Sequence, residues 1–288
     1  GVGVIEVCRQ VVNPGDQIMV NTPVYFNFFN WIKELRCEVY DAPLIENDRR
    51  YTLDFAAIEK GYSKGVKVHI LCNPHNPVGT VFSQSDQVKL AELAKKYGVL
   101  IAADEIHAPL TYKDKSFTPM LSLGKEAEEV SITVTAASKG WNIAGLKCAM
   151  IVTQDAAIFA RLNEMPPAVH WRTSLLGAFA TAAAFSDGAE WLDDVLSQLD
   201  ENRHLIKNLL AAKLPSVRYH LPDNGYLAWL DVEALQLGED PSKYLLEKGR
   251  VAFNAGHTFG AQCSQYVRLN FATSPTIITE AIERIARS

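Results

Sequence analysis

Up to residue 185, short apolar runs alternate with amphipathic stretches. Runs rich in Val and Ile at 17–21, 37–41, 66–72, 99–103, 132–135 and 148–152 predict buried strands. Between two of them, Leu90, Leu93, Ala94 and Tyr97 recur at the spacing of one helix face, and Gly98 supplies a stop. Strand–helix–strand alternation of this kind predicts an α/β fold, a mostly parallel sheet sandwiched by helices.

The pattern changes after Ser186-Asp187-Gly188. Residues 191–212 read as one long amphipathic helix, with Leu192, Val195, Leu196, Leu199, Ile206, Leu209 and Leu210 on its apolar face. Strands follow at 217–221, 226–230 and 266–270, with helices at 242–248 and 276–286. The expected organisation is a large domain over 1–190 and a smaller α+β C-terminal domain over 191–288, hinged on the long helix. No internal repeat or low-complexity segment is visible.

Composition narrows the function classes. The chain has 288 residues, 48% hydrophobic and 21% charged, with a formal net charge of -5. That balance suits a globular protein and excludes a general attraction to nucleic acid or anionic membrane. An anionic ligand would need a local cluster of donors. The five cysteines are scattered with no CxxC pair, so neither a metal (zinc) site nor a disulfide framework is expected. Cys72 and Cys148 lie in apolar runs and read as buried thiols. A reducing cytoplasm fits this usage. Neither a membrane span nor a signal peptide is visible. The chain starts without Met, in sequence that already reads as structured and apolar over 1–12. The expectation is that an N-terminal portion of the natural protein precedes it.

Four segments carry candidate chemistry, and each ends or follows a predicted strand, where ligands bind in open α/β sheets. The first is Ser138-Lys139-Gly140-Trp141-Asn142. A lysine here is by default a surface cation; as a Schiff-base nucleophile it needs a partly desolvated site. Ser138 and Lys147 are candidates to hold a phosphate. The second is Asp104-Glu105-Ile106-His107. A carboxylate ending an apolar strand is a helix cap, a metal ligand, or the partner of a protonated ring nitrogen. His107 reads as a supporting hydrogen-bonding group. The third, Asn73-Pro74-His75-Asn76-Pro77-Val78-Gly79, is first a turn, with room for a cis X–Pro bond. Functionally, the Asn76 amide suits a phenolic oxygen. The fourth is Tyr266-Val267-Arg268-Leu269-Asn270-Phe271. Its arginine is either a solvated edge residue or a bidentate grip for an α-carboxylate.

Taken in order, Asn13-Pro14-Gly15-Asp16, Thr22-Pro23-Val24-Tyr25, the Asn73–Gly79 loop, Asp104-Glu105-Ile106-His107, SKGWNIAGLK at 138–147 and YVRLNFATS at 266–274 resemble the fold-type I pyridoxal 5′-phosphate (PLP) enzymes of the class I/II aminotransferase superfamily. The similarity spans almost the whole chain. Together with NGYLAWLD at 224–231, the wording is most similar to the MalY/PatB type of cystathionine β-lyase, a C–S β-lyase. The resemblance implies that Lys139 binds PLP covalently and acts as the catalytic base. It further implies that Asp104 pairs with the pyridine nitrogen, Asn76 contacts the ring oxygen with His107 nearby, and Tyr25 stacks on the ring. Ser138, Lys147 and the backbone of Gly1 and Val2 would hold the phosphate, and Arg268 the substrate carboxylate. Many members of the superfamily have Arg where Lys147 stands.

The implied reaction is α,β-elimination from L-cystathionine or a related S-substituted cysteine, giving a thiol, pyruvate and ammonia. The implied partners are a small amino-acid substrate and a second subunit in a homodimer. An aminotransferase uses the same lysine, aspartate and arginine, and a truncated, non-catalytic PLP-binding protein would retain them too.

Overall fold

The structure, a computed structural model, describes residues 1–47 and 50–288. The first part of the chain contributes strands β1 Gln17–Val20, β2 Glu38–Asp41, β3 Ile45–Glu46, β4 Tyr51–Thr52, β5 Val68–Cys72, β6 Leu100–Asp104, β7 Ser131–Thr135 and β8 Met150–Val152. β3 and β4 form a small hairpin, and the other six make one sheet in the order β2-β1-β5-β6-β7-β8. All its pairings are parallel except β7–β8.

Consecutive side chains on these strands enter two different apolar clusters. Ile18, Val20, Ile70 and Ala102 face one, and Met19, Leu71, Ile101 and Ala103 face the other. This alternation is the pleat of a sheet covered on both faces, which is why the strands read as continuous apolar runs. Helices α1 Val2–Arg9 and α2 Asn27–Glu34 cover the first face with Val4, Val7, Phe28 and Ile32. Helices α3 Phe55–Ser63, α4 Gln84–Tyr97 and α5 Lys125–Val130 cover the second with Ile58, Tyr62, Leu90, Ala94 and Ala127. α4 has the ends its sequence predicts. The Ser83 hydroxyl accepts from the Asp86 amide at 3.1 Å, and Gly98 closes the helix at φ 66°, a left-handed conformation open to glycine.

Helices α6 Ala156–Leu162, α7 Pro167–Trp171 and α8 Leu175–Asp187 lead to the long α9, Ala189–Lys213. After it come β9 Arg218–Tyr219, β10 Leu227–Asp231, α10 Pro241–Glu247, β11 Asn254–Ala255, β12 Tyr266–Asn270 and α11 Pro275–Arg287. The four strands form a second, antiparallel sheet in the order β11-β12-β10-β9. The apolar face of α9 (Leu196, Leu199, Ile206, Leu210) meets Ile278, Ile282 and Ile285 of α11 and Leu230 and Val267 of the sheet. Leu192, Val195 and Leu209 pack at its margin.

Four expectations are corrected. The segment 148–152 becomes a strand only from Met150, after a tight turn over 144–146 and a left-handed Lys147 (φ 54°), and pairs antiparallel with β7 because the 136–149 connection returns the chain beside it without a crossover. Cys148 therefore lies half-buried beside a cavity and is not a core thiol, whereas Cys72 is buried. The strand at 217–221 shrinks to two residues. The helix expected over 242–248 starts one residue earlier, at Pro241, where Asp240 caps the Lys243 amide at 3.1 Å and proline suits the first turn. Among the described residues, no helix is long and apolar enough to cross a membrane.

Two joints tie the C-terminal segment to the first part of the chain. Glu46 of β3 accepts from Tyr266 Oη at 2.8 Å and lies 3.1 Å from His220 Nε2. Arg203 of α9, almost fully buried, donates to Asp200 (2.6 Å), Asp114 (2.9 Å) and the Pro222 carbonyl (2.6 Å), and its guanidinium lies 3.8 Å from the centre of the Tyr112 ring. Arg203→Ala removes a buried charge from its partners and leaves a void beside Tyr112. It is expected to lower stability by roughly 2–4 kcal/mol, read from urea denaturation.

Candidate active site

Neighbouring parallel strands β5, β6 and β7 end level with one another. Cys72 pairs with Asp104, and Asp104 with Val134. Their following loops, 73–79, 105–107 and 136–147, therefore emerge together at the carboxyl edge of the sheet.

Asp104 is the last residue of β6 and is 8% exposed. Burial pushes its carboxyl up from the usual carboxylate range, opposed first by the charge of the Gly1 amino group, then by the Ile106 amide, which donates to Oδ1 at 3.2 Å, and by the nearby Lys139 charge. Among the described residues it has no ion-pair partner within 4 Å. A buried carboxylate that stays raised against these charges, with no ion pair, suits a ligand that brings its own positive charge.

Lys139 sits four residues beyond β7, half-buried. Burial lowers its pKa first, the Arg268 charge adds to this, and Asp104 opposes both. Among the described residues nothing accepts a hydrogen bond from its Nζ. Desolvation without a pairing carboxylate is the condition under which a lysine amine is nucleophilic.

Arg268 arrives from β12. Its Nη1 donates to Asn76 Oδ1 at 2.8 Å, which leaves the Asn76 NH2 group as the donor end of that amide. The loop carrying Asn76 has cis peptides before both Pro74 and Pro77, as does Thr22-Pro23. Asn76 is also held by its own backbone amide, 3.4 Å from Cys72 Sγ. Tyr25 is half-buried and packs edge-on against Phe28 and Trp31, with its hydroxyl accepting from Asn27 at 2.6 Å.

His107 is buried, and burial, then the charges of Lys139 and Arg268, push its imidazole down to about 3. It is neutral at any ordinary pH. Its main-chain carbonyl accepts from the buried Asn224 side chain at 2.8 Å, and its ring faces Tyr226. Asn224 and Tyr226 were visible only as part of the NGYLAWLD wording; their position against His107 is a tertiary fact.

Ser138, Lys147, Gly1 and Val2 share the wall of a cavity of about 850 Å³ that runs beside the start of α1. The first amides of a helix have no intrahelical acceptor, so the backbone there presents donors to an anion. Lys139 and Asp104 are not on that wall.

Glu105, next to Asp104, was not singled out by the sequence. It is 5% exposed and accepts from the Met120 amide at 2.8 Å. Burial pushes its carboxyl up to about 7 from 4.5. A carboxyl whose folded pKa is raised costs stability when ionised: the cost is fully present above the folded pKa and vanishes as pH falls to the unfolded value. Glu105→Gln is expected to raise the melting temperature at about pH 8, with the gain shrinking towards about pH 5. An equal gain at both pH values would contradict this account.

The donor set fits the cofactor that the resemblance implies: a buried carboxylate for a ring cation, a desolvated amine for an aldehyde, and hydroxyl, ammonium and helix-start amides for a phosphate. Comparison with known proteins agrees. Cystathionine β-lyase PatB of Bacillus subtilis is 35% identical over 279 residues, which are 94% of this chain and 71% of that protein. A cystathionine β-lyase of Corynebacterium glutamicum is 37% identical over 277 residues, covering 95% and 72%. The crystal structure of cystalysin from Treponema denticola, which contains pyridoxal 5′-phosphate, superposes with a TM-score of 0.94 at 28% identity, over 99% of this chain and 73% of that one. The family model for aminotransferase class I and II matches residues 2–285, and the chain belongs to that family.

Proposed function

We propose that this chain is a PLP-dependent carbon–sulfur β-lyase that cleaves L-cystathionine, or a related S-substituted cysteine, to a thiol, pyruvate and ammonia. The observation that carries the reading is Lys139: a half-buried amine without a pairing carboxylate, under the influence of both Asp104 and Arg268. The relatives named as cystathionine β-lyases support the substrate class.

In this reading residues 1–190 form the cofactor-binding part, and 191–288 form the part that carries Arg268 to it. Lys139 would hold the cofactor covalently and Asp104 its ring nitrogen. The NH2 group of Asn76 would meet the ring oxygen, and Tyr25 the ring face. Ser138, Lys147 and the backbone of Gly1 and Val2 would hold the phosphate. When bound, PLP supplies an electron sink for the bonds at the substrate α-carbon.

The protein's own groups supply the rest. Arg268 grips the α-carboxylate and so orients the α-carbon towards Lys139. The lowered pKa of Lys139 favours the neutral amine, which accepts the α-proton at Nζ and returns a proton to a departing group. Neutral His107 adds no competing charge beside Lys139. Overall, L-cystathionine and water give homocysteine, pyruvate and ammonia, which would supply methionine biosynthesis. A homodimer in the cytoplasm completes the reading.

The test is pyruvate release from L-cystathionine by the PLP-loaded chain. Release without any added keto acid supports the lyase. Amino transfer that requires a keto acid, with no pyruvate from cystathionine, would replace the lyase with an aminotransferase.

A further inference from the structure

Asn254 and Arg268 stand directly opposite each other in the antiparallel pair β11–β12. Directly opposed residues project from the same face of a sheet, with their side chains within reach. Here Arg268 Nη2 donates to Asn254 Oδ1 at 2.8 Å, while Nη1 donates to Asn76 at 2.8 Å. The guanidinium is thus held at both terminal nitrogens, by one anchor from the C-terminal sheet and one from the loop after β5. Its carbon lies 4.7 Å from the centre of the Phe259 ring.

Both anchors are neutral. Among the described residues no carboxylate comes within 4 Å of Arg268. Its Nε–H is buried and has no acceptor among the described residues. A guanidinium has five N–H donors, and two are taken here. Two amide oxygens fix the position of the group without neutralising it, and a buried unsatisfied donor is costly until an acceptor arrives. An anionic planar acceptor is the ligand that matches what remains.

We infer that Asn254 is a positioning residue for Arg268 and sets the site's preference for substrates with a free α-carboxylate. This rests on the β-lyase reading only in taking Arg268 as the carboxylate grip. Neutrality at position 254 is as important as the hydrogen bond. An aspartate there would keep the acceptor but pair with the guanidinium and compete with the substrate. Asn254 is exposed at the edge of the sheet, so water partly replaces its amide in an alanine variant. The aspartate variant is therefore the sharper arm.

The experiment uses PLP-loaded native protein, Asn254→Ala, Asn254→Asp and Arg268→Ala, with cofactor occupancy checked in each by visible absorbance. Binding of methylthiopropanoate and of its neutral amide is measured by calorimetry. Asn254→Ala is expected to weaken the carboxylate about fivefold and Asn254→Asp by about 20-fold or more, with the amide unchanged in both. For L-cystathionine, Asn254→Ala should raise KM while kcat stays near the native value. Native-like carboxylate binding by both Asn254 variants would overturn the inference. So would an equal loss of carboxylate and amide, which marks a merely structural role. If Arg268→Ala binds the carboxylate as the native protein does, or the native protein binds neither probe, the grip itself is overturned and the role of Asn254 with it. Failure of the lyase reading looks different: carboxylate affinity that depends on Arg268 and Asn254, with no pyruvate release.

Discussion

Replacing Lys139 with alanine is expected to reduce pyruvate release by about 10³-fold or more, because in the proposed reading one residue serves both as covalent anchor and as proton acceptor. The two roles separate experimentally. Borohydride reduction of the native, PLP-loaded protein should trap the cofactor on the peptide that carries Lys139, and the alanine variant should trap none. Asp104, Asn76, Ser138 and Lys147 are all retained in the variant, so it should still take up PLP reversibly. The fold should tolerate the change, since among the described residues nothing accepts a hydrogen bond from the Lys139 Nζ. Steady pyruvate production by the variant would show that another group removes the proton.

Asp104→Asn carries the second large effect, and its two parts have opposite signs. In the protein without PLP, burial raises the Asp104 pKa, so its ionised form is destabilising. The sign follows from linkage: for a carboxyl with a raised folded pKa the cost is absent below the unfolded pKa and full above the folded one. Asparagine keeps an acceptor for the Ile106 amide and removes the charge. The PLP-free variant should therefore melt higher than the native protein at neutral pH, and the difference should disappear on acidification. With PLP the order reverses. The variant offers no anion to a ring cation, so it should lose most of the stabilisation that PLP gives the native protein, and turnover should fall by about 10²–10³-fold. Thermal melts with and without PLP at two pH values read out both parts. A PLP-free variant that is less stable than the native protein would mean that Asp104 is already compensated by groups other than the cofactor.

The two carboxylates at 104 and 105 show where sequence reading stops. Both end the same apolar run, and both are buried with raised pKa values. Side chains alternate across a strand, so neighbours face different surroundings. Glu105 meets the Met120 amide, a partner inside the protein, while Asp104 shares its surroundings with Lys139. Local pattern marks a carboxylate at a strand end as notable. It does not say which of two neighbours will be satisfied.

What the sequence determined by itself was whatever short-range pattern encodes. The runs at 66–72 and 99–103 are apolar on both pleats because both faces of the sheet are covered, and β5 and β6 lie there. The spacing of leucines fixed the buried face of α9, and Ser83 and Gly98 marked the ends of α4. The segments around Lys139, Asp104, Asn76 and Arg268 were legible as candidates, since each joins a reactive side chain to a strand end or loop. The tertiary structure decided everything that depends on segments meeting. It set β8 antiparallel to β7 and moved Cys148 to a cavity wall. It brought Arg268 to Asn76 across 192 residues of chain and set Asn254 opposite it. Periodicity records which face of an element is apolar. Which polar atoms then meet, and what that does to their charges, is set by the packing of those faces against one another.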